Sequence, residues 1–372
     1  MGRKAIIILL SVSSVLAVSC GRGRAVDADI IPYVGYILSD TTSVEHSILD
    51  GYRQDRFGTI AVMGPAENTE RLTAYLMKCD LFDNVDGKVM KDGLPDFAGE
   101  TFAAYYDTVN VPYQDFFING NEEALRELTV RHSVAALDSR CYEGDYSREA
   151  SVEKSPSKIV IFSSPFSEVG IADADSLFSM SGVGPILISP VKSLVDKVIR
   201  KYDEGAMIGI WAESDVLSSG VFASAFRDCS SDGKRAADYV GFSPDMNNRM
   251  KDCLIHYLEM FLDSGNEMPL SAILIDDFSY PYDKNALSSA VDHIRNSTDD
   301  KIAKYRTLLS DDFEVIGCMD AIAESCYRVL RRKNLFTHRI AYPQAVEYMI
   351  TGTPGQGGEI KYVELSQKYV HQ

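Results

Sequence analysis

Short apolar runs alternate with amphipathic stretches along most of the chain. The runs that suit buried strands lie at residues 59–63, 159–162, 185–188, 206–211, 239–242, 272–275 and 313–316. Between them, apolar residues recur at helical spacing; the longest such stripe consists of Met250, Leu254, Tyr257, Leu258 and Phe261. Because strands and helices alternate over about 300 residues, the pattern predicts an α/β fold with mainly parallel sheets flanked by helices.

Length and charge narrow the class of protein. The chain has 372 residues, of which 45% are apolar and 24% charged, as in a soluble globular protein. The length favours two domains of ordinary size. The formal net charge of −17 argues against a nucleic-acid partner, because that binding depends on neutralising phosphates.

The first twenty residues have the features of an export signal. Arg3 and Lys4 precede an apolar stretch at 5–18, which ends in small residues and Cys20. This segment resembles a bacterial lipoprotein signal peptide, 1–20, with Cys20 as the lipidated residue. We therefore expect a lipid-anchored protein of the cell envelope, periplasmic or at the outer membrane, that contacts the membrane only through this anchor. An ordinary signal peptide or an uncleaved anchor are the alternatives.

The sequence contains no recognisable cofactor or metal motif. Six cysteines remain besides Cys20; they are scattered, as are the histidines, and form no zinc-binding spacing. The Gly182–Gly184 pair lacks the third glycine of a dinucleotide fingerprint, and 352–358 lacks a Walker lysine. We expect no cofactor and no metal.

The stretch at 271–285 holds the candidate chemistry. The apolar run at 272–275 is followed directly by Asp276 and Asp277, and then by Ser279. Ligands of open α/β sheets bind beyond the carboxyl ends of strands, where these side chains would lie. Two adjacent carboxylates repel each other, so one of them can retain a proton near neutral pH. Alternatively, one acid caps the next helix while the other faces water.

Several segments, taken in order, resemble the aspartate/glutamate racemase superfamily across about residues 57–353. The matching segments are Met63-Gly64-Pro65, Asp107-Thr108 with Val111-Pro112-Tyr113-Gln114, 159–167, 186–222, 272–281, 320–335 and Thr351-Gly352. The resemblance implies two pseudo-symmetric α/β domains with a cleft between them. Ser189-Pro190 and the polar run 296–300 lie where the family crosses between domains. The predicted domains are therefore 30–187 plus 300–372, and 188–299.

The two catalytic cysteines of the family are replaced. By the resemblance, their positions fall on Ser163 and Asp277, which face each other across the cleft. An unassisted serine hydroxyl is too weak an acid or base at neutral pH for proton transfer. Two-cysteine racemisation is therefore not expected. The resemblance assigns ligand binding to Gly64, Tyr113, Gln114, Ser164, Ser167, Glu213, Asp276 and Ser279.

Three functions stay open at this point. The first is an exported, non-racemising homologue that binds a small ligand. Acids without an evident basic partner at the strand ends favour a neutral or cationic ligand. The second is an isomerase or decarboxylase that uses Asp277 as its one base, and the third is a glutamate or aspartate racemase. The sequence does not indicate an oligomeric state.

Overall fold

The computed structural model describes residues 30–142, 151–202, 205–229, 238–244, 248–266, 268–278, 283–350 and 362–364. They form two compact units. The larger unit comprises Asp29–Pro190 and Ile322–Gln372, and the smaller unit comprises Val191–Ala321. In the described parts of the chain, no helix is both long and apolar enough to cross a membrane.

The strands and helices follow one another along the chain as the apolar pattern predicts. The strands are β1 (Thr59–Pro65), β2 (Thr101–Asp107), β3 (Arg140–Tyr142), β4 (Ser151–Glu153), β5 (Ser157–Phe162), β6 (Ile186–Ile188), β7 (Met207–Trp211), β8 (Asp238–Phe242), β9 (Leu270–Ile275), β10 (Leu309–Gly317), β11 (Gln344–Ile350) and β12 (Tyr362–Glu364). The helices are α1 (Pro32–Ser39), α2 (Val44–Gly51), α3 (Ala66–Leu76), α4 (Gln114–Ile118), α5 (Glu122–Leu137), α6 (Glu168–Ser181), α7 (Pro190–Lys201), α8 (Ser214–Ser218), α9 (Val221–Cys229), α10 (Met250–Asp263), α11 (Lys284–Asn296), α12 (Asp300–Ala303) and α13 (Cys318–Lys333). Short 3-10 turns lie at Pro165–Ser167 and Lys304–Leu308.

The larger unit is built on a mixed sheet with the strand order β4-β3-β12-β11-β2-β1-β5-β6. Its central strands β11, β2, β1, β5 and β6 run parallel, whereas β3 pairs antiparallel with β4 and β11 with β12. Residues 60–63 of β1 are completely buried, as expected for a central strand with both faces covered. The carboxyl ends of β2, β1 and β5 therefore lie side by side at one edge of this sheet.

The smaller unit is built on a parallel sheet with the order β10-β9-β7-β8. Its core packs the apolar stripe of α10 against the sheet: Tyr257 meets Trp211 edge to face, with ring centroids 5.5 Å apart. The residues that follow β9, β7 and β10 share one edge of this sheet. The predicted α/β architecture, with mainly parallel sheets flanked by helices, is confirmed.

Three details differ from the sequence-based expectations. The second domain was expected to end near residue 299, but the smaller unit extends to Ala321, because β10 pairs with β9. The apolar pattern also predicts a helix near 121–131 and a separate apolar run at 133–137, but these form the single helix α5. Strand β11 was not predicted, since its burial is only partial along much of its length.

Candidate functional site

Ser163 lies at the carboxyl end of β5 in the larger unit, and its side chain is fully buried. Its hydroxyl lies 2.8 Å from the Thr69 hydroxyl and donates to the Met63 carbonyl at 3.2 Å. The side-chain amide Nδ2 of Asn68 donates to the Ser163 carbonyl at 3.0 Å. These partners at Ser163 Oγ are a carbonyl and a hydroxyl, and neither can activate the serine as a base or nucleophile.

Gly64 brings the end of β1 against Ser163. Its φ of +145° is a backbone conformation that only glycine adopts without strain, and a Cβ there would lie 2.6 Å from Ser163 Oγ. The glycine therefore allows β1 and β5 to approach closely at this edge. No side chain at position 64 can contribute to a ligand site, so the predicted role of Gly64 would be carried by its backbone.

Ser164 and Ser167 lie in the turn after β5, and both are buried. The Ser164 hydroxyl caps the 3-10 turn by accepting from the Phe166 amide at 3.3 Å. The amide of Ser167 donates to the Ser164 carbonyl at 3.2 Å. The Ser164 side chain thus stabilises the turn that precedes α6, whereas Ser167 contributes its backbone amide to this turn.

Asp107 is the centre of a buried polar network at the end of β2. Its carboxylate accepts hydrogen bonds from the amides of Val109 and Asn110, and from the Tyr113 hydroxyl at 2.9 Å. His132 on α5 places Nε2 3.5 Å from Asp107 Oδ2. Burial lowers the pKa of His132, and the nearby Asp107 opposes this shift. Sequence reasoning missed this network, because nothing in the sequence places His132 beside Asp107.

Tyr113 and Gln114 differ in how deeply their side chains are buried. Tyr113 is buried, and its hydroxyl is directed into the Asp107 network; burial and the neighbouring carboxylate raise its pKa well above the usual range. Gln114 is half-buried at the first position of α4. Of these two predicted ligand-binding residues, Gln114 is the more accessible.

Asp277 follows β9 in the smaller unit, and its carboxylate accepts a hydrogen bond from the Met319 amide at 3.0 Å. Met319 lies in the first turn of α13, so Asp277 caps that helix, where a carboxylate also complements the helix dipole. The helix that follows Asp277 along the chain, α11, is capped instead by Asp283. Asp277 is therefore a helix cap, as the alternative expectation held for one of the two acids. The helix it caps is not the next one along the chain, since Met319 lies 42 residues after Asp277.

The pKa of Asp277 is raised to about 6 by burial, and the negative charge of Asp320 adds to the increase. The Met319 amide and the Lys284 ammonium oppose it. Asp276 is also buried, and its own amide donates to the Trp211 carbonyl at 2.9 Å. The pKa of Asp277 is thus raised in the expected direction, but the causes are desolvation and the charge of Asp320 rather than repulsion by the adjacent Asp276.

A lysine, a thiol and a further acid surround the two aspartates. Lys284 forms an ion pair with Asp320, and Cys318 is buried at the start of α13. Burial raises the pKa of the Cys318 thiol well above its usual range, and nearby Asp276 adds to the shift. A thiol held protonated in this way is a poor nucleophile. These three side chains were not predicted as site residues.

Gly317 makes room for this arrangement at the end of β10. A Cβ at this position would lie 2.5 Å from Asp277 Oδ2 and 3.0 Å from the Lys284 side chain. Glycine is therefore needed here for the close approach of the carboxylate, not for an unusual backbone angle.

The remaining predicted residues are dispersed. Glu213 is half-buried before α8, at the carboxyl end of β7. Ser279 and Cys20 lie outside the described residues. Ser163 belongs to the larger unit and Asp277 to the smaller one, and their predicted approach across a cleft stays a prediction. Among the described side chains, no group of three or more His, Cys, Asp and Glu is arranged to hold a metal ion.

Comparison with known proteins gives structural neighbours only. No protein-family model and no curated protein match the sequence. Glutamate racemase from Bacillus anthracis is similar in structure, with 12% identity and a TM-score of 0.46, over 80% of this chain and 90% of that chain. The glutamate racemase from Thermus thermophilus in complex with beta-chloro-D-alanine has 11% identity and a TM-score of 0.45 over the same shares.

An aspartate racemase homologue from Pyrococcus horikoshii has 9% identity and a TM-score of 0.37, over 74% of this chain and 99% of that chain. These neighbours belong to the superfamily that the sequence resembles. At these identities and TM-scores, the likeness carries no information about a ligand or an activity.

Proposed function

We propose that this chain is a small-ligand-binding protein of the bacterial cell envelope, with an Asp/Glu racemase-like fold and no two-base racemisation. The observation that carries the proposal is the environment of Ser163. Its hydroxyl is fully buried and interacts with the Met63 carbonyl and the Thr69 hydroxyl. A hydroxyl that must give and take a proton needs an activating base beside it, and its partners among the described residues are a carbonyl and another hydroxyl.

The charge at the strand ends of the smaller unit supports a neutral or cationic ligand. Asp276, Asp277 and Asp320 lie there, and the one nearby ammonium identified in the described residues, that of Lys284, is paired with Asp320. Such a group of carboxylates would repel a dicarboxylate such as glutamate, and it would attract a positively charged group.

The raised pKa of Asp277 favours a second candidate. A buried carboxyl group with a pKa of about 6 is suited to accept a proton near neutral pH. An isomerase or decarboxylase that works from one face of its substrate needs only this one base. The capping bond from the Met319 amide holds the carboxylate in a fixed orientation for such a role.

The test is solvent-deuterium exchange at the α-carbon of both enantiomers of glutamate, aspartate, alanine and lysine, followed by chiral analysis. The wild type, Ser163→Ala and Asp277→Asn would be compared, together with thermal shifts for the same compounds. We expect no inversion for any protein, and stabilisation by lysine or alanine rather than by the dicarboxylates. The variant Ser219→Ala, at a half-buried serine elsewhere, serves as the matched control.

Two outcomes would change the assignment. Inversion of glutamate or aspartate that is abolished in Ser163→Ala would overturn the proposal in favour of a racemase. Exchange without inversion that is lost in Asp277→Asn would replace it by the one-base enzyme.

A further inference from the structure

The His132 imidazole is buried beside the Asp107 carboxylate but forms no hydrogen bond to it. His132 is 1% exposed, and Asp107 is completely buried. Nε2 of His132 lies 3.5 Å from Asp107 Oδ2, and it has no hydrogen-bond partner in the part of the chain that the structure describes. A buried nitrogen without a partner lowers stability, so its presence in a folded protein calls for an explanation.

The acceptor positions of the Asp107 carboxylate are already occupied. Oδ1 accepts from the backbone amides of Val109 and Asn110 at 3.0 and 2.9 Å. The Asn110 side-chain amide donates to both oxygens at 3.1 Å, and the Tyr113 hydroxyl donates to Oδ2 at 2.9 Å. A carboxylate offers about four acceptor positions. A further donor at Oδ2 must therefore displace one of the donors present.

Protonation of His132 creates such a donor. An imidazolium carries a proton on each ring nitrogen, so Nε2 becomes a charged donor next to Oδ2. A charge-assisted hydrogen bond is about twice as strong as a neutral one. Asn110 keeps its bonds to Oδ1 in either case, whereas Tyr113 is bound to Asp107 through Oδ2. The Tyr113 hydroxyl is therefore the donor that the imidazolium displaces.

Tyr113 connects this carboxylate to the helix that carries Gln114. Tyr113 directly precedes α4, and its carbonyl accepts from the Phe116 amide at 3.2 Å. No residue of α4 is itself buried. Phe117 packs on Phe166, with ring centroids 5.3 Å apart. Because α4 has so few buried contacts of its own, its position depends on the buried side chain of Tyr113.

The charge that acts on His132 comes from Asp107. Burial lowers the pKa of His132 from its ordinary value of 6.5, and the Asp107 carboxylate opposes this shift. The imidazole is therefore neutral at pH 7, and it takes up a proton only in a more acidic medium. The pKa of the Tyr113 hydroxyl is raised well above its usual range by burial, so Tyr113 remains a donor throughout.

Other charged groups on α5, or on the elements packed against it, are engaged elsewhere and contribute no shift to the pKa of His132. They are Arg126 with Asp173 of α6, Arg131 with Glu127 and with Glu45 of α2, Lys158 of β5 with Glu100, and Lys154, which donates to the Ala136 carbonyl. Burial lowers the pKa of Lys154 to about 7, so this lysine needs its own control.

We propose that His132 is a pH-dependent positioning residue for the segment 109–118. In an acidic medium its imidazolium takes Asp107 Oδ2 from the Tyr113 hydroxyl, and Tyr113 and α4 are released. At neutral pH the hydroxyl holds Tyr113, and Gln114 stays in place at the carboxyl edge of the sheet. As a regulator of ligand binding, this device rests on the proposed function; the movement of the segment does not.

Hydrogen–deuterium exchange of the full chain without ligand tests the movement. Exchange in peptides covering 109–119 is followed from about pH 7.5 to about pH 4.5, across the ordinary range of histidine, and corrected for the intrinsic effect of pH. The amides of Phe116 and Asn119 report on α4, since they donate to the Tyr113 and Asp115 carbonyls. We expect the corrected exchange to rise about tenfold on acidification, as for the loss of one hydrogen bond to a charged group.

Variants assign the rise to His132. We expect it to be absent in His132→Gln, which cannot ionise in this range. It should persist in His46→Gln, at a half-buried histidine of the same unit, and in Lys154→Met and Asp277→Asn, at groups that titrate in the same range. Tyr113→Phe lacks the displaced hydroxyl, so its exchange should be fast at every pH; this variant decides the question if His132→Gln does not fold.

Several results would overturn the proposal. They are exchange in the wild type that does not change with pH, a rise that persists in His132→Gln, and slow exchange in Tyr113→Phe at neutral pH. The midpoint of the rise should also coincide with the titration of the His132 imidazole by NMR, and a different midpoint would count against His132. Because no ligand is present, failure of the ligand-binding proposal would appear only in the thermal shifts.

Discussion

At the scale of single residues, the raised pKa of the buried Asp277 carboxyl group makes the stability of the folded protein depend on pH. Its pKa in the folded chain is about 6, whereas its ordinary value is 3.8. Between pH 3.8 and about pH 6, the carboxyl group of Asp277 keeps its proton in the folded protein but has lost it in the unfolded chain. The stability from this proton is fully present below pH 3.8, and it is lost as the pH rises through about 6.

We therefore expect the stability difference between wild type and Asp277→Asn to depend on pH. The asparagine cannot ionise, and its amide oxygen can still accept from the Met319 amide. From about pH 3.5 to about pH 7, the wild type should lose about 3 kcal/mol relative to the variant. Urea unfolding of both proteins across this range measures the difference. A constant difference would refute the burial of an ionisable group at 277; Asp263→Asn, at an exposed acid, is the control.

Gly64 offers a second test at this scale. Alanine there would meet Ser163 Oγ at 2.6 Å and would hold a strained φ of +145°. We expect Gly64→Ala to lower the free energy of unfolding by about 2–3 kcal/mol. Ser163→Ala removes the clashing oxygen but not the backbone strain, so the double variant should recover about 1 kcal/mol in a double-mutant cycle.

The control for this cycle is Gly120→Ala. Gly120 also has a positive φ, +67°, but a Cβ added there would have no other atom within 4 Å. Gly120→Ala should show no coupling to Ser163→Ala. Additive effects of Gly64→Ala and Ser163→Ala would contradict the close approach of β1 and β5.

At the scale of elements, an ion pair holds the amino ends of the larger unit's strands. Lys158, on β5, is fully buried and places Nζ 2.7 Å from Glu100, directly before β2. The same ammonium donates to the Leu335 carbonyl at 2.8 Å, and Glu100 accepts from the Thr337 amide at 2.8 Å. The pair therefore ties β5, the start of β2 and the segment after α13 together.

Removing one partner of this pair leaves a buried charge uncompensated. We expect Lys158→Met to lower the free energy of unfolding by about 3–5 kcal/mol. Adding Glu100→Leu should recover most of that loss, because the unpaired carboxylate is removed as well. Denaturant unfolding of the single and double variants measures both effects. An unchanged midpoint in Lys158→Met would show that the pair does not hold the strands; Lys88→Met, at an exposed pair, is the control.

At the scale of the whole molecule, the chain leaves the larger unit at Pro190 and returns at Ile322. Helix α13 spans the return, since it begins at Cys318 and ends at Lys333. Within the smaller unit, Asp277 caps the first turn of this helix; within the larger unit, Arg331 near its last turn contacts the loop before β2. The acid that would act in the candidate site is also the cap of the helix that reconnects the units.

The predicted localisation of the protein to the cell envelope can be tested through lipidation of Cys20. We expect metabolic labelling with palmitate to mark the wild type and not Cys20→Ala, because the residues before Cys20 resemble a lipoprotein signal. Cys79→Ala, at a buried cysteine of the larger unit, should stay labelled. Equal labelling of wild type and Cys20→Ala would reject lipidation at this residue.

The sequence alone determined the class of fold and the places where polar residues follow strands. Hydrophobic periodicity is a local property, so the apolar runs at 59–63, 159–162 and 272–275 predicted the positions of β1, β5 and β9 from near neighbours. The same local reasoning identified Asp276 and Asp277 after the last of these strands, and the resemblance to the racemase superfamily pointed to Ser163.

Only the tertiary structure decided what those residues contact. Asp277 meets Met319, Ser163 meets Thr69 and His132 meets Asp107, because strand order and helix packing bring distant segments to the same sheet edge. The return of the chain at Ile322, rather than near residue 300, likewise followed from the pairing of β10 with β9. Hydrogen-bond partners and domain limits depend on these long-range pairings, which a local pattern of apolar and polar residues does not encode.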